Sequence, residues 1–293
     1  MTDHGDPAGF SNECYNRPMK RILFKATLDA SQTGTVSEFL AAKTGLSRTR
    51  IKDAMNKGAV LLKIKNGKTE RLRRASTALK PGDQIEFYYD EKTLALQPPE
   101  AKCLSDQKHY SVWFKPSGLL AQGTQYGDHC SLMRQAEQYF QSSREVFLVH
   151  RLDREASGIV LLAHSKNAAA KLSELFQKNL VSKRYLVEVL GNPGEKCRHG
   201  AIDLPLDGKP SLTEFKVMSY NPETNTSIAD VRISTGRLHQ IRRHFDMIGF
   251  PVIGDPKYGT GNKNTEGMKL SAVSLKFRCP FLKQEVQYKI PES

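Results

Sequence analysis

The run "IVLLA" at residues 159–163 is apolar at every position and too short to be a helix of its own. A strand with one wet face alternates apolar and polar residues, so an unbroken run predicts a strand covered on both faces. Such a strand commits the chain to a sheet with packed layers on either side, and 293 residues are enough to build them. Immediately before it stands the polar stretch "RLDREASG", 151–158, and before that a second apolar run, "VFLVH". Asp153 is thereby predicted in a short loop between two core strands, where a rigid scaffold can present a reactive group. The plainer reading is an ordinary ion pair with Arg151 or Arg154.

The neighbouring segments extend this unit. "YSVWF" followed by "KPSG" reads as a strand entering a turn, with Pro116 fixing φ and Gly118 allowing a positive one. "SKNAAAKLSELFQKNLV" predicts a helix capped by Ser165, with Ala168, Leu172, Leu175 and Phe176 on one face. "SKRYLVEVLG" returns as a strand that carries Tyr185, and "LDGKPSLTEFKVMSY" and "SIADVRISTG" supply further strands. In "TGRLHQIRRHFDMIGFPVIGDPKYG" the residues Leu238, Ile241, Phe245 and Ile248 mark one helical face, ended by Gly249. Arg242 flanks that face and Arg243 points away from it. An arginine bordering a core can grip a carboxylate through two parallel hydrogen bonds, which a more exposed Arg237 would do less well. His239 and His244 are five residues apart, so they do not form the i, i+4 pair of a helical zinc site.

Charge separates a second unit. The chain carries 44 Lys and Arg against 31 Asp and Glu, a net +13. Between Lys43 and Lys80 there are twelve basic residues and two acidic ones, so +10 lies within 38 positions. Solubility alone does not require such concentration, and a phosphate backbone is its natural partner. The same region predicts a helix with Thr35 as N-cap, Glu38 completing a capping box and Gly45 as stop. A second helix runs from Ser47 to Gly58 with Ile51 and Met55 one turn apart. Asn66-Gly67 then signals a hairpin, and a Pro-Gly turn precedes alternating Ile85, Phe87 and Tyr89.

The organisation expected is a tail over 1–33, a small α/β unit over 34–90, a Pro-Pro linker over 91–107, and a larger α+β domain over 108–293. Cysteines at 14, 103, 130, 197 and 279 are odd in number and form no CxxC pair, which argues for reduced thiols, a cytoplasmic setting and no zinc site. No apolar run approaches the roughly 20 residues that span a bilayer.

These motifs carry two resemblances. The helix-helix-hairpin-strand unit, with Arg48, Arg50 and Lys52 opening its second helix, resembles the small RNA-binding module of S-four type. "HRLDREASG", "KRYLVEVLG" and "GRLHQIRRHFDMIGFPVIGDPKYG", in that order after a "KPSG" turn, resemble the RluA-type pseudouridine synthases over about 108–280. The second resemblance implies a pseudouridine synthase fold, α+β, with a central, largely antiparallel mixed sheet flanked by helices. It implies isomerisation of uridine in RNA without cofactor or metal, with Asp153 as catalytic aspartate, Tyr185 as active-site tyrosine and Arg242 as the partner of the aspartate. A carboxylate can attack the sugar or abstract a ribose proton, and Tyr185 could stack on the uracil and serve as an acid or base. The uridine has to leave its stack, so His150, Arg151 and Arg154 are candidate wedges or phosphate contacts. Arg73 and Arg74 of the basic unit, and Arg237, His239 and Arg243, complete the candidate RNA contacts.

The chain departs from the family pattern at Ala156, where Thr or Ser is usual, and at Ser271, where a histidine is common. The expected partner is RNA, with large-subunit ribosomal RNA favoured and transfer RNA the alternative, acted on by a monomer away from membranes. The competing class is a non-catalytic RNA-binding protein, and a nucleotide-dependent RNA methyltransferase is weaker because no Gly-rich loop opens a helix after an early strand.

Overall fold

A computed structural model describes residues 19–32, 34–64, 67–195 and 199–290. Asn66 of the expected hairpin turn, Cys14, Cys197 and the segment 1–18 lie outside the described residues. The chain divides into two compact units, one running to Leu96 and including Gln125–Gly127, the other formed by Gln97–Thr124 and the chain from Asp128 onward.

The first unit contains β1 (Arg21–Thr27), α1 (Val36–Thr44), α2 (Arg48–Asn56), β2 (Val60–Lys63), β3 (Thr69–Arg71), β4 (Gln84–Asp90) and the single turn α3 (Glu91–Leu94). Its sheet order is β1-β4-β2-β3. The capping box at the start of α1 forms as the sequence predicts, with the Thr35 and Glu38 side chains each accepting the other's backbone N–H, and Gly45 closes the helix at φ 66°. Ser47 caps α2, which buries Ile51, Ala54 and Met55. β1 occupies part of the segment expected to be tail. Its alternation of Ile22, Phe24 and Ala26 packs on the core of α1, α2 and β4, and full antiparallel pairing with β4 holds it there.

The second unit contains β5 (Lys102–Asp106), β6 (Tyr110–Lys115), α4 (Leu132–Tyr139), β7 (Phe147–Leu148), β8 (Ser157–Ala163), α5 (Lys166–Gln177) and β9 (Ser182–Leu190). After a 3-10 turn follow β10 (His199–Asp203), β11 (Leu212–Asn221), β12 (Thr226–Ile233), α6 (Gln240–Met247), β13 (Leu270–Arg278) and β14 (Glu285–Lys289). The strand order is β10-β11-β12-β9-β13-β8-β6-β5, with β14 beside β13 and β7 beside β8. All of these pairings are antiparallel except β13 with β8. β5 lies inside the segment expected to be linker, because Cys103 and its neighbours complete the edge of the sheet on β6.

β8 explains its own composition. Val160 and Leu162 enter the core beneath α4 and α6, while Ile159, Leu161 and Ala163 enter the one beneath α5. Both faces are dry, so every position is apolar. "VFLVH" gives only two paired residues, since the chain leaves the ladder when His150 stacks on Phe176 of α5, ring centroids 4.3 Å apart. Leu238 also departs from its expected place. The helix expected to bury it begins two residues later, because His239 takes a left-handed conformation at φ 53°, and Leu238 is left 61% exposed. Among the described residues no helix is long and apolar enough to cross a membrane.

Candidate active site

β13 brings the sequence motifs together. Ala272 pairs in parallel with Gly158, at the end of the Asp153 loop, and antiparallel with Tyr185 on β9. The loop and the tyrosine therefore stand two strand spacings apart, roughly 10 Å. A Cβ on Gly158, which adopts φ 126°, would lie 2.4 Å from the backbone N and O of Ala272, so only glycine permits this approach. Asp153, Ala156, Tyr185, Gly236, Arg237, His239, Arg242 and Leu270 line a pocket of about 100 Å³, with Arg151 exposed at its wall. Recesses of about 450 and about 700 Å³ lie elsewhere, and neither is walled by an ion pair as buried as the one beneath this pocket.

Arg242 is the organising group. Its Nη1 donates to Asp153 Oδ2 at 2.9 Å, and the same nitrogen lies 3.8 Å from Glu155 Oε2. Its Nε and Nη2 donate to Asp255 Oδ2 and Oδ1 at 2.7 and 2.8 Å. Asp255 is wholly buried and Arg242 is 2% exposed. Burial would push the Asp255 carboxyl up, but Arg242 and the backbone N–H groups of Lys257 and Tyr258 outweigh it and hold it below the usual carboxylate range. Burial works against the Arg242 charge as well, and the two aspartates more than compensate.

Tyr185 is half-buried, and burial followed by the nearby Asp153 charge raises its hydroxyl pKa. It therefore carries its proton at neutral pH, and a protonated phenol can donate a hydrogen bond and offer a stacking face. His239 places Nε2 3.7 Å from Asp153 Oδ1, and its Nδ1 lies 3.0 Å from the Tyr258 hydroxyl. Lys115 of the "KPSG" turn is fully buried and donates to the carbonyls of Pro116, Leu119 and Arg154 at 3.0, 2.7 and 3.2 Å, which fastens the loop just past Asp153.

The remaining candidates divide. Arg237 donates weakly to the Pro210 carbonyl at 3.4 Å, Arg154 to that of Gly118 at 3.3 Å, and Arg243 is paired with Asp207 through two bonds of 2.9 and 3.0 Å. His150 is corrected: its Nε2 accepts the Leu161 N–H at 3.1 Å, and burial lowers its pKa to about 3, so it packs as a neutral ring. In the first unit Arg48 pairs with Glu38 at 3.1 Å and Arg50 with Glu91 at 3.6 Å, while Lys52 and Arg74 are exposed and Arg73 donates to the Asn56 carbonyl. Ala156 is buried against the pocket, and Ser271 pairs with Ser157 on β8.

Sequence reasoning missed Lys115, Asp255 and Tyr258. The signal for Asp255 was the acid in "GDPKYG" between two tight turns, and for Lys115 a lysine directly following an apolar strand. Among the described residues no cluster of three or more His, Cys, Asp or Glu could hold a metal.

Comparison with known proteins adds independent weight. The family model described as RNA pseudouridylate synthase matches residues 109–247, which include the Asp153 loop, β9 and α6. The dual-specificity RNA pseudouridine synthase RluA of Vibrio vulnificus is 34% identical over 204 residues, 62% of this chain and 79% of that protein. An uncharacterized RNA pseudouridine synthase of Aquifex aeolicus is 30% identical over 248 residues, 76% of each chain. Another, of Mycoplasma pneumoniae, is 28% identical over 288 residues, covering 89% of this chain and 90% of its own. Two solved structures share the fold: human RNA Pseudouridylate Synthase Domain Containing 1, with TM-score 0.57 and 22% identity over 67% of this chain and 86% of that one, and Domain Containing 4, with TM-score 0.54 and 23% identity over 65% and 88%. With motif order, fold and relatives in agreement, the chain belongs to the RluA-type family of RNA pseudouridine synthases and is an RNA-modifying isomerase.

Proposed function

We propose that Asp153 is the catalytic carboxylate of this isomerase, that Arg242 orients it, and that Tyr185 closes over the flipped uracil. The observation that carries this reading is the 2.9 Å bond from Arg242 Nη1 to Asp153 Oδ2 at the wall of a pocket shared with Tyr185. The reaction breaks the bond from ribose carbon-1′ to uracil N1, turns the base, and joins carbon-1′ to carbon-5. The carbon-5 proton leaves and N1 gains one, so nothing is added or lost overall. Attack at carbon-1′ and abstraction of the carbon-2′ proton both need a carboxylate fixed in direction, which Arg242 supplies. Arg151, Arg154 and Arg237 are the phosphate contacts around the pocket, His239 turns its ring nitrogens to Asp153 and Tyr258 instead, and Arg243, paired with Asp207, contributes at the rim.

The first unit, in this reading, is an S-four-type RNA-binding domain, supported by its paired helices, following hairpin and the +10 between Lys43 and Lys80. Arg48, Arg50, Lys52, Arg73 and Arg74 present its charge. The target is large-subunit ribosomal RNA, modified by a monomer in the cytoplasm. The test is to restore the enzyme, or its Asp153→Asn form, to cells lacking the gene and to map pseudouridine in total RNA. Wild type should restore a site in large-subunit ribosomal RNA that Asp153→Asn does not. Restoration by the variant would refute the catalytic assignment, and a restored site in transfer RNA alone would refute the target.

A further inference from the structure

Both oxygens of Asp153 are addressed by groups that lead back to one short turn. Oδ2 receives Arg242 Nη1 at 2.9 Å, and the other donors of that guanidinium are held by Asp255. Oδ1 faces His239 Nε2 at 3.7 Å, and the opposite nitrogen of that ring meets the Tyr258 hydroxyl at 3.0 Å. A Tyr258 hydroxyl donating to Nδ1 leaves the ring proton on Nε2, the nitrogen that faces the carboxylate. Asp255 and Tyr258 belong to the same turn, closed by the Asp255 carboxylate accepting the backbone N–H of Lys257 at 2.8 Å and of Tyr258 at 3.0 Å. The Arg242 guanidinium also lies 5.2 Å over the Tyr258 ring.

The turn is itself immobilised. Lys263 Nζ donates to the carbonyls of Asp255 and Tyr258 at 2.6 and 2.7 Å. Gly254, at φ 71°, approaches the Gly267 backbone so closely that a Cβ there would meet its carbonyl oxygen at 2.1 Å. Asp255 accepts four hydrogen bonds, three at Oδ1 and one at Oδ2, and two of them hold the Nε–Nη2 edge of Arg242. One nitrogen of Arg242 is thus left to point at Asp153. His239 adopts a left-handed conformation at φ 53°, uncommon for a non-glycine residue, without a side-chain bond to its own helix.

We infer that the Asp255–Tyr258 turn is the orienting device of the active site, with Asp255 and Tyr258 as positioning residues that fix Oδ2 of Asp153 through Arg242 and set the His239 ring beside Oδ1. Neither residue touches the uridine. Arg242 is shared among three carboxylates, Asp153, Asp255 and, at 3.8 Å, Glu155, so its single positive charge aims Asp153 without cancelling the negative charge of the group. The inference rests on Asp153 being the catalytic carboxylate.

The test uses the full chain and bulk RNA from cells lacking the gene, grown on uracil tritiated at carbon-5, since each isomerisation releases that tritium to water. Single-turnover rates are measured against enzyme concentration for wild type, Asp255→Asn, Tyr258→Phe and Asp153→Asn, with a thermal melt of each. A carboxylate that loses its aim reacts slowly although RNA binds as before, so Asp255→Asn should lower the saturating rate about 100-fold. Tyr258→Phe, which keeps the ring over Arg242 and removes only the hydroxyl, should lower it about tenfold. The enzyme concentration for half the rate should stay within about twofold of wild type in both.

A structural role alone would move the melt and not the saturating rate of folded enzyme. Wild-type saturating rates in Asp255→Asn and Tyr258→Phe, beside an inactive Asp153→Asn, would overturn the inference and leave the catalytic assignment standing. Should Asp255→Asn not fold, Tyr258→Phe decides by the same criterion. Tritium release by Asp153→Asn at the wild-type rate would overturn the assignment on which the inference rests.

Discussion

Replacing Lys115 with methionine should remove a pH dependence of stability that the fold imposes on this one group. Lys115 is fully buried, and desolvation lowers its pKa from 10.5 to about 8, with Asp153 and Glu155 opposing the shift. Since the folded pKa lies below the unfolded one, between pH 8 and 10.5 the unfolded chain holds a proton that the folded chain does not. Stability therefore rises with pH through that window and is flat below it. At pH 7 the buried charge costs about 3.5 kcal/mol, at pH 9.5 about 1.5, so the wild type gains about 2 kcal/mol from this group over the interval. Methionine keeps the bulk, has no titration, and loses the hydrogen bonds to Pro116, Leu119 and Arg154 as a pH-independent offset. Urea denaturation at intervals from pH 7 to 9.5 measures the difference, because other titrating groups are common to both proteins. The single tryptophan, Trp113, is buried on the same strand and reports the transition. A wild-type minus variant difference that stays flat within about 0.5 kcal/mol would refute the reasoning, since linkage requires it to climb.

Arg242→Lys cannot hold Asp255 through two parallel bonds and also reach Asp153, so it should lose about 100-fold in tritium release and about 3 kcal/mol in urea denaturation; a wild-type rate would count against the geometry. Gly158→Ala should separate β8 from β13, at a cost of at least about 3 kcal/mol, read as a lower urea midpoint or loss of soluble protein; an unchanged midpoint would show that the strands can give way. Reversing charge at Arg73 and Arg74 together should weaken RNA binding and flatten the dependence of log affinity on log salt by about one for each phosphate no longer neutralised; an unchanged slope would remove these residues from the interface.

The elements most legible in the sequence were those whose cause is local. The Thr35 and Glu38 box, the Ser165 cap and the doubly buried β8 each follow from residues within a few positions of one another. β1 was equally local, since Ile22, Phe24 and Ala26 alternate, but one short strand beside a polar terminus carries no sign that β4 waits to pair with it. Leu238 failed for another reason. Its spacing fits the face of α6, and only the left-handed turn at His239, held through Tyr258, shows that the helix starts too late to bury it. The partnership of Arg242 and Asp153 spans 89 residues and was reached through family resemblance, because no local pattern specifies it. Asp255 could not be ranked above the chain's other acids until the fold made it the buried partner of that arginine.

β13 has a consequence for how the enzyme comes into being. It is inserted between β9 and β8, and the strands to either side of it in the sheet meet only through it. During synthesis both neighbours leave the ribosome well before Ala272 does, so their edges wait unpaired while the intervening segments fold. Such edges invite pairing with other chains, and long-range insertion is slow. Because Ala272 pairs with both Gly158 and Tyr185, the Asp153 loop and that tyrosine are brought to their spacing only once β13 is in place. A nascent chain can display its basic N-terminal surface long before it can isomerise a uridine.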